Sequence, residues 1–307
     1  MGQGSEVAAV CAKLFSESKP VGTGKESPDC GNARAGDPAL RGRGCGPKPM
    51  IILKNERDVE AMRAAGKVAR TVLEELAAWI APGVSTREIE LSAARLIKAH
   101  GAKSAFLGYR KYPCQICISV NEEVVHGIAN ERRVQFGDIL SLDVGVSYRG
   151  YIGDTACTVA AGGCDVRAQK LIDVTESALY EGIARAVPGN RVMDISRAIQ
   201  EYVEGNGFNV VREFVGHGVG RTVHEDPQVP NYVEDKSSPK LRPGMTLAIE
   251  PMVVAGAPAV EVLKDGWTVV TKDRQPAAHW EHTVLITEGE PEILTCAEKT
   301  QCRLKVS

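Results

Sequence analysis

This sequence has no apolar run approaching the roughly 18 residues that a membrane helix needs. It has no charge excess either: 37 basic and 39 acidic residues leave a net charge of −2 over 307 residues. A large excess of one sign would point to nucleic acid or an anionic membrane, and neither is indicated. The chain does not open with a basic segment followed by a clean apolar stretch, so no secretory signal is read. Gly2 is followed by Glu6 where a myristoylated terminus carries Ser or Thr. Of nine cysteines, only Cys114 and Cys117 are spaced C-x-x-C, and a lone pair cannot complete a four-ligand zinc site. An odd count without a secretion signal implies reduced thiols and a cytoplasmic chain. No thioredoxin-like βαβ pattern surrounds the pair, so both are expected to be ordinary half-buried thiols. What remains is 43% hydrophobic and 25% charged residues, enough for a sizeable core in one or two domains.

Residues 1–49 stand apart. They hold 9 Gly and 5 Pro with little periodicity, a composition that cannot offset the entropy of ordering, so disorder is expected there. Cys11, Cys30 and Cys45 lack metal-ligand spacing, and Glu6, Glu17 and Glu26 argue against a transit peptide. Met50 opens the first patterned segment and is a second candidate for the initiator, which would remove the extension from the mature protein. Residues 50–307 are expected to form the folded domain.

From Asn55 the pattern is helical: Asn55 can cap, and Val59, Met62, Val68, Val72 and Leu76 recur at helical spacing. Pro82-Gly83 stops this helix, and a second runs from about Thr86 to Gly101. The layout then returns. Pro188-Gly189 follows a helical stretch from Val166 to Val187, and Ile195 and Gly207 stand to it as Ile89 and Gly101 stand to Pro82-Gly83, 106 residues earlier. "GDILSLDVG" from Gly137 matches "GMTLAIEPM" from Gly244, which aligns Asp143 with Glu250. A near-constant offset across helix, turn and strand implies two related halves, each with two helices followed by strands. The fold class is α+β, and a site between the halves would draw an acidic strand from each.

The stretch from Gly137 to Val159 reads as a β-hairpin carrying Asp143 and Asp154 among apolar neighbours. With a turn centred between Tyr148 and Arg149, the two carboxylates would lie directly opposite and repel. A proton, solvent or a cation must then offset the cost. "LAIEPMVV" adds Glu250 at the end of an apolar strand, "AHWEHTVLIT" adds Glu281 before another, and "VGHGVG" sets His217 among glycines. Buried carboxylates need partners. Four carboxylates and one imidazole suit two divalent cations sharing bridging ligands, with Mn, Fe or Co favoured and Zn allowed. Such a pair would activate a water and polarise a carbonyl.

Taken together, "VNEEVVHGI", "LDVGVSYRGYIGDTA", "FVGHGVGRTVHEDPQVPNY", "RPGMTLAIEPM" and "WEHTVLIT" resemble methionine aminopeptidase of type I, over about Ile51 to Thr295. The resemblance implies the pseudo-symmetric pita-bread fold and removal of the initiator methionine from chains with a small second residue. It implies Asp143, Asp154, His217, Glu250 and Glu281 as metal ligands, with Asp154 and Glu281 bridging and Glu250 also handling protons of the attacking water. By the same resemblance His224 contacts the scissile amide and His126 the substrate near its amine. The methionine pocket is expected from Phe106, Tyr109, Tyr112, Cys117 and Trp267; aromatic core filling is the other reading of such residues. Phe106 stands where relatives commonly have a smaller residue, and Val223 where they commonly have an aromatic. Only 25 residues separate His224 from Glu250, too few for the helical insertion of type II enzymes. The implied partners are N-termini of nascent chains near the ribosome, with no membrane and no specific nucleic acid, and the implied state is a monomer.

Two other readings stand beside this one. An X-Pro peptidase of the same fold can share all five ligands, but usually carries a substantial N-terminal domain. A catalytically dead pita-bread protein that binds ribosomes or nucleic acid tends to lose ligands, whereas this chain keeps all five.

Overall fold

The computed structural model describes residues 50–235 and 237–296. The disorder expected for residues 1–49 lies outside them.

The first half begins with helices α1 (Glu56–Trp79) and α2 (Thr86–Ala99). Both start on reciprocal caps: the Asn55 side chain accepts from the backbone of Asp58 while Asp58 accepts from Asn55, and Ser85 and Glu88 do the same. Strands β1 (Lys103–Ser104), β2 (Cys117–Val120), β3 (Glu123–Val125), β4 (Ile139–Tyr148) and β5 (Tyr151–Ala160) follow. The second half repeats the plan with helices α3 (Val166–Ile183) and α4 (Val192–Gly205). Its strands are β6 (Asn209–Val210), β7 (Gly216–Gly218), β8 (Glu225–Val229), β9 (Thr246–Ile249), β10 (Met252–Val254), β11 (Val260–Val262), β12 (Val269–Thr271), β13 (Ala277–His279), β14 (Glu281–Leu285) and β15 (Glu292–Ile293). Helices α2 and α4 are both 14 residues long and begin at 86 and 192, which is the offset of 106 read from the sequence.

The main sheet orders its strands β1-β4-β5-β14-β9-β7-β8, with β2 added beside β4 and β15 beside β14. The halves therefore meet where β5 pairs with β14. Helix α1 lies across β4 and β5 and buries Met62, Ala65, Ala69, Val72, Leu73 and Leu76. Two smaller sheets, β13-β10-β6 and β11-β12-β3, enclose a second apolar cluster around Val125, Phe214, Met252 and Val269.

Three expectations need correction. The β4–β5 turn is the two-residue loop Arg149-Gly150, one position later than expected, because both residues take left-handed backbone (φ 53° and 82°) and so match the twist of a tight hairpin. This register pairs Asp143 with Ala156 and Asp154 with Gly145, so the carboxylates are diagonal rather than directly opposite. Helix α3 stops at Ile183, not Val187; Arg185 N and Ala186 N donate to Gly182 O and Ile183 O in tighter turns ahead of Pro188. Finally, Cys296 is disulfide-bonded, whereas Cys114, Cys117, Cys157 and Cys164 are free thiols.

Candidate metal centre

Strand register alone gathers the acidic groups. Cys117 of β2 faces Asp143 of β4, Asp143 faces Ala156 of β5, and Ala156 faces Glu281 of β14. His282 faces Ile249 of β9, so the next step along both strands sets Glu281 against Glu250. Neighbours in such a row project to one side of the sheet. Asp154 lies two residues before Ala156 and joins that side. His217 of β7 pairs with Ala248, two before Glu250, and joins it too. Ala156, in the middle of the row, leaves room between the carboxylates. Gly216 and Gly218 let β7 pack tightly: a Cβ on either would come within 2.4 Å of the Ala248 carbonyl or 2.2 Å of the Asp226 carbonyl.

One cavity collects all twelve residues singled out from the sequence: Asp143, Asp154, His217, Glu250 and Glu281; His126 and His224; and Phe106, Tyr109, Tyr112, Cys117 and Trp267. It measures about 690 Å³ counted out to its open mouth and lies between the two apolar clusters. Ligand atoms of Asp154, His217 and Glu281 lie within 4.8 Å of one another. His217 Nε2 is 3.4 Å from Glu250 Oε1.

The electrostatics of the bare cluster are unfavourable. Asp154 and Glu281 are 3% and 2% exposed. Asp143 Oδ1, Asp154 Oδ1 and Glu281 Oε1 are buried without a hydrogen-bond partner. Burial pushes the Asp143 carboxyl up to about 7. Burial, and then the negative charge of neighbouring carboxylates, holds Asp154, Glu250 and Glu281 well above the usual range. Orphaned buried oxygens on several clustered carboxylates are what a divalent cation would satisfy, so these residues fit one. Oxygen-rich donors with one imidazole suit Mn, Fe, Co or Zn.

The imidazoles are neutral. Burial lowers His217 to about 4, and its Nδ1–H donates to the Gly218 carbonyl at 2.9 Å, which leaves the Nε2 lone pair facing the carboxylates. Burial holds His224 well below its ordinary value. Its Nδ1 is 2.9 Å from the Tyr109 hydroxyl, and its ring sits 4.3 Å from that of His217. His126 has left-handed backbone (φ 59°), is lowered to about 4 by burial, and meets Phe214 and Trp267 edge-on. Tyr112 donates its hydroxyl to the Gly127 carbonyl at 2.8 Å and packs edge-on against Trp267, so this wall is fixed.

Six further residues line the cavity: Val125, Phe214, Val215, Val223, Met252 and His279. Val223 was noted in the sequence only for its unusual identity. His279 lies two before Glu281 and Met252 two after Glu250, so the two-residue period of a strand was the available signal for both. His279 Nε2 reaches to 3.5 Å from Glu250 Oε2. Val125, Phe214 and Val215 carry no comparable signal.

The model of metallopeptidase family M24 matches residues 60–288. The chain belongs to metallopeptidase family M24. Within the family it is 50% identical over 246 residues to methionine aminopeptidase 1 of Bacillus subtilis, which covers 80% of this chain and 99% of that relative. A crystal structure of methionine aminopeptidase from Thermotoga maritima superposes with a TM-score of 0.78 at 48% identity, covering 80% of this chain and 99% of that one. Prolidase from Pyrococcus furiosus, at 24% identity and a TM-score of 0.66, shares the fold, with 66% of its own length covered. The pita-bread architecture is thus common to this M24 member and to both kinds of peptidase. No helix among its described residues is long and apolar enough to cross a membrane.

Proposed function

We propose that this M24 peptidase removes the N-terminal methionine from nascent proteins and peptides whose second residue is small. The observation that carries the reading is the meeting of an acidic, imidazole-bearing sheet face with a fixed aromatic pocket in one cavity. Near-complete coverage of the B. subtilis methionine aminopeptidase at 50% identity supports it.

Asp143, Asp154, His217, Glu250 and Glu281 would hold two divalent ions. When bound, such ions supply Lewis acidity and lower the pKa of water. The chain does the rest. The methionine side chain, an unbranched thioether, lies against Phe106, Tyr109, Tyr112, Cys117 and Trp267. His126, kept neutral, contacts the substrate beside its free amine. Glu250, whose surroundings raise its affinity for a proton, accepts one from the attacking water and returns it to the leaving amine. The Tyr109 hydroxyl donates to His224 Nδ1, so the ring carries its own proton on Nε2. From there it stabilises the oxyanion that develops at the scissile carbonyl.

The substrate must present a free amine, so a deformylating reaction precedes this one wherever synthesis begins with formylmethionine. The chain works as a monomer in the cytoplasm on N-termini emerging near the ribosome, without a membrane or a specific nucleic acid. Comparing Met-Ala-Ser with Ala-Pro tests the substrate class. Release of methionine is expected, and preference for Ala-Pro would overturn the assignment in favour of an X-Pro peptidase.

A further inference from the structure

His224 is carried on a loop that closes around one carboxylate. Glu225 Oε1 accepts from the backbone of Arg221 at 2.9 Å and of Thr222 at 3.4 Å. The Thr222 hydroxyl donates to the His224 carbonyl at 3.2 Å. Gly220 packs so closely here that a Cβ would come within 2.6 Å of Glu225 Oε1 and 2.7 Å of Lys54 Cε. The remaining Glu225 oxygen is met by Lys54, 171 residues earlier in the chain. Lys54 Nζ lies 2.7 Å from Oε2, with the two side chains only 5% and 8% exposed. Lys54 is itself anchored. Its backbone N–H donates to the Gly244 carbonyl at 2.7 Å, and Nζ also donates to the Ile52 carbonyl at 3.1 Å. A second tie lies one turn into α1. There Asp58 bonds Tyr151, the first residue of β5, and Arg221 of the loop bonds the same hydroxyl while lying 3.6 Å from Asp58. The segment ahead of α1 thus grips the His224 loop at two points, although Lys54 does not line the cavity.

We propose that Lys54 is a positioning residue for His224: its buried ion pair with Glu225 holds residues 220–225 in the conformation that turns the imidazole toward the substrate. This rests on the reading of His224 as the donor to the developing oxyanion. Without its ammonium partner, the buried Glu225 carboxylate is an unpaired charge. It then moves toward water and takes its neighbour His224 with it. A displacement of about 1 Å at a catalytic group can cost about 10²-fold in rate.

The test uses the full chain loaded with Mn. Lys54→Met keeps the apolar stem and removes the charge, while Glu225→Gln keeps the shape of the carboxylate. Each is expected to lower kcat on Met-Ala-Ser by about 10- to 10²-fold, with KM and bound metal as in the unaltered chain. Lys54→Arg should recover most of that loss. In a His224→Ala background, adding Lys54→Met should cost less than about twofold, because both changes act through one group. If Lys54→Met does not fold, Glu225→Gln carries the same comparison. Unaltered kcat in the single variants, a loss that multiplies with that of His224→Ala, or loss of metal along with activity would each overturn the positioning role. Full activity in His224→Ala alone would instead overturn the reading of His224 on which the proposal stands.

Discussion

A carboxylate taken out of water needs a proton, a donor or a cation. Asp143, Asp154 and Glu281 each keep an oxygen with no hydrogen-bond partner, which leaves a proton or a cation. The two central histidines differ in what they can offer. His217 has committed Nδ1 to the Gly218 carbonyl and presents a lone pair to the carboxylates; His224 has Nδ1 engaged by Tyr109 and presents a proton. Their substitutions should therefore separate. His217→Ala is expected to lose metal and turnover together. His224→Ala is expected to keep its metal and lose about 10²- to 10³-fold in kcat, as for one transition-state donor removed. Metal analysis beside steady-state rates checks both, and equal metal loss in the two would contradict the division. At this scale the sequence was highly legible. A carboxylate ending an apolar strand, as Glu250 does in "LAIEPM", announces a partner. His279 and Met252 escaped because they look like strand filler, although each sits one strand period from a ligand.

Elements were legible where local rules act. Asn55 and Ser85 cap the helices they were expected to start, and the 14-residue helices beginning at 86 and 192 carry the offset that revealed the two halves. The hairpin register was less legible. The turn between Tyr148 and Tyr151 is set by Arg149 accepting left-handed backbone, which an Arg seldom does, and moving the turn centre by one residue changed which pairs face each other. The diagonal placement that results eases repulsion between Asp143 and Asp154 while keeping both on one face. The loop holding His224 could not be read at all. Its conformation depends on Lys54, which lies far away in sequence, and no local pattern records that contact.

Over the whole molecule, two related halves join along β5 and β14, and each supplies carboxylates to the seam. One consequence is a pH dependence specific to the metal-stripped chain. Carboxyl groups whose folded pKa is raised bind more protons folded than unfolded, so they lose stability as pH rises toward the folded pKa. Buried histidines act the other way: His126 and His217 at about 4 and His279 at about 3 penalise folding below their ordinary 6.5. Above pH 6.5 the histidines are neutral in both states and only the carboxylate effect remains, with Asp143 at about 7 and its three neighbours higher. The melting temperature of the stripped protein should therefore fall between about pH 6.5 and 8, and saturating Mn should abolish the fall, since a cation keeps the carboxylates ionised in the fold. A stripped protein whose melting temperature stays level or rises across that window would show that the cluster is solvated rather than built for a cation.

The most direct test of the central claim is the release of free methionine from Met-Ala-Ser by metal-stripped protein titrated with Mn, Co, Fe(II) and Zn. The account predicts no release without metal and restoration by at least one of these ions, saturating at a stoichiometry of no more than two per chain. Methionine release at full rate by the stripped protein, or none with any ion in a protein shown to be folded, would contradict it.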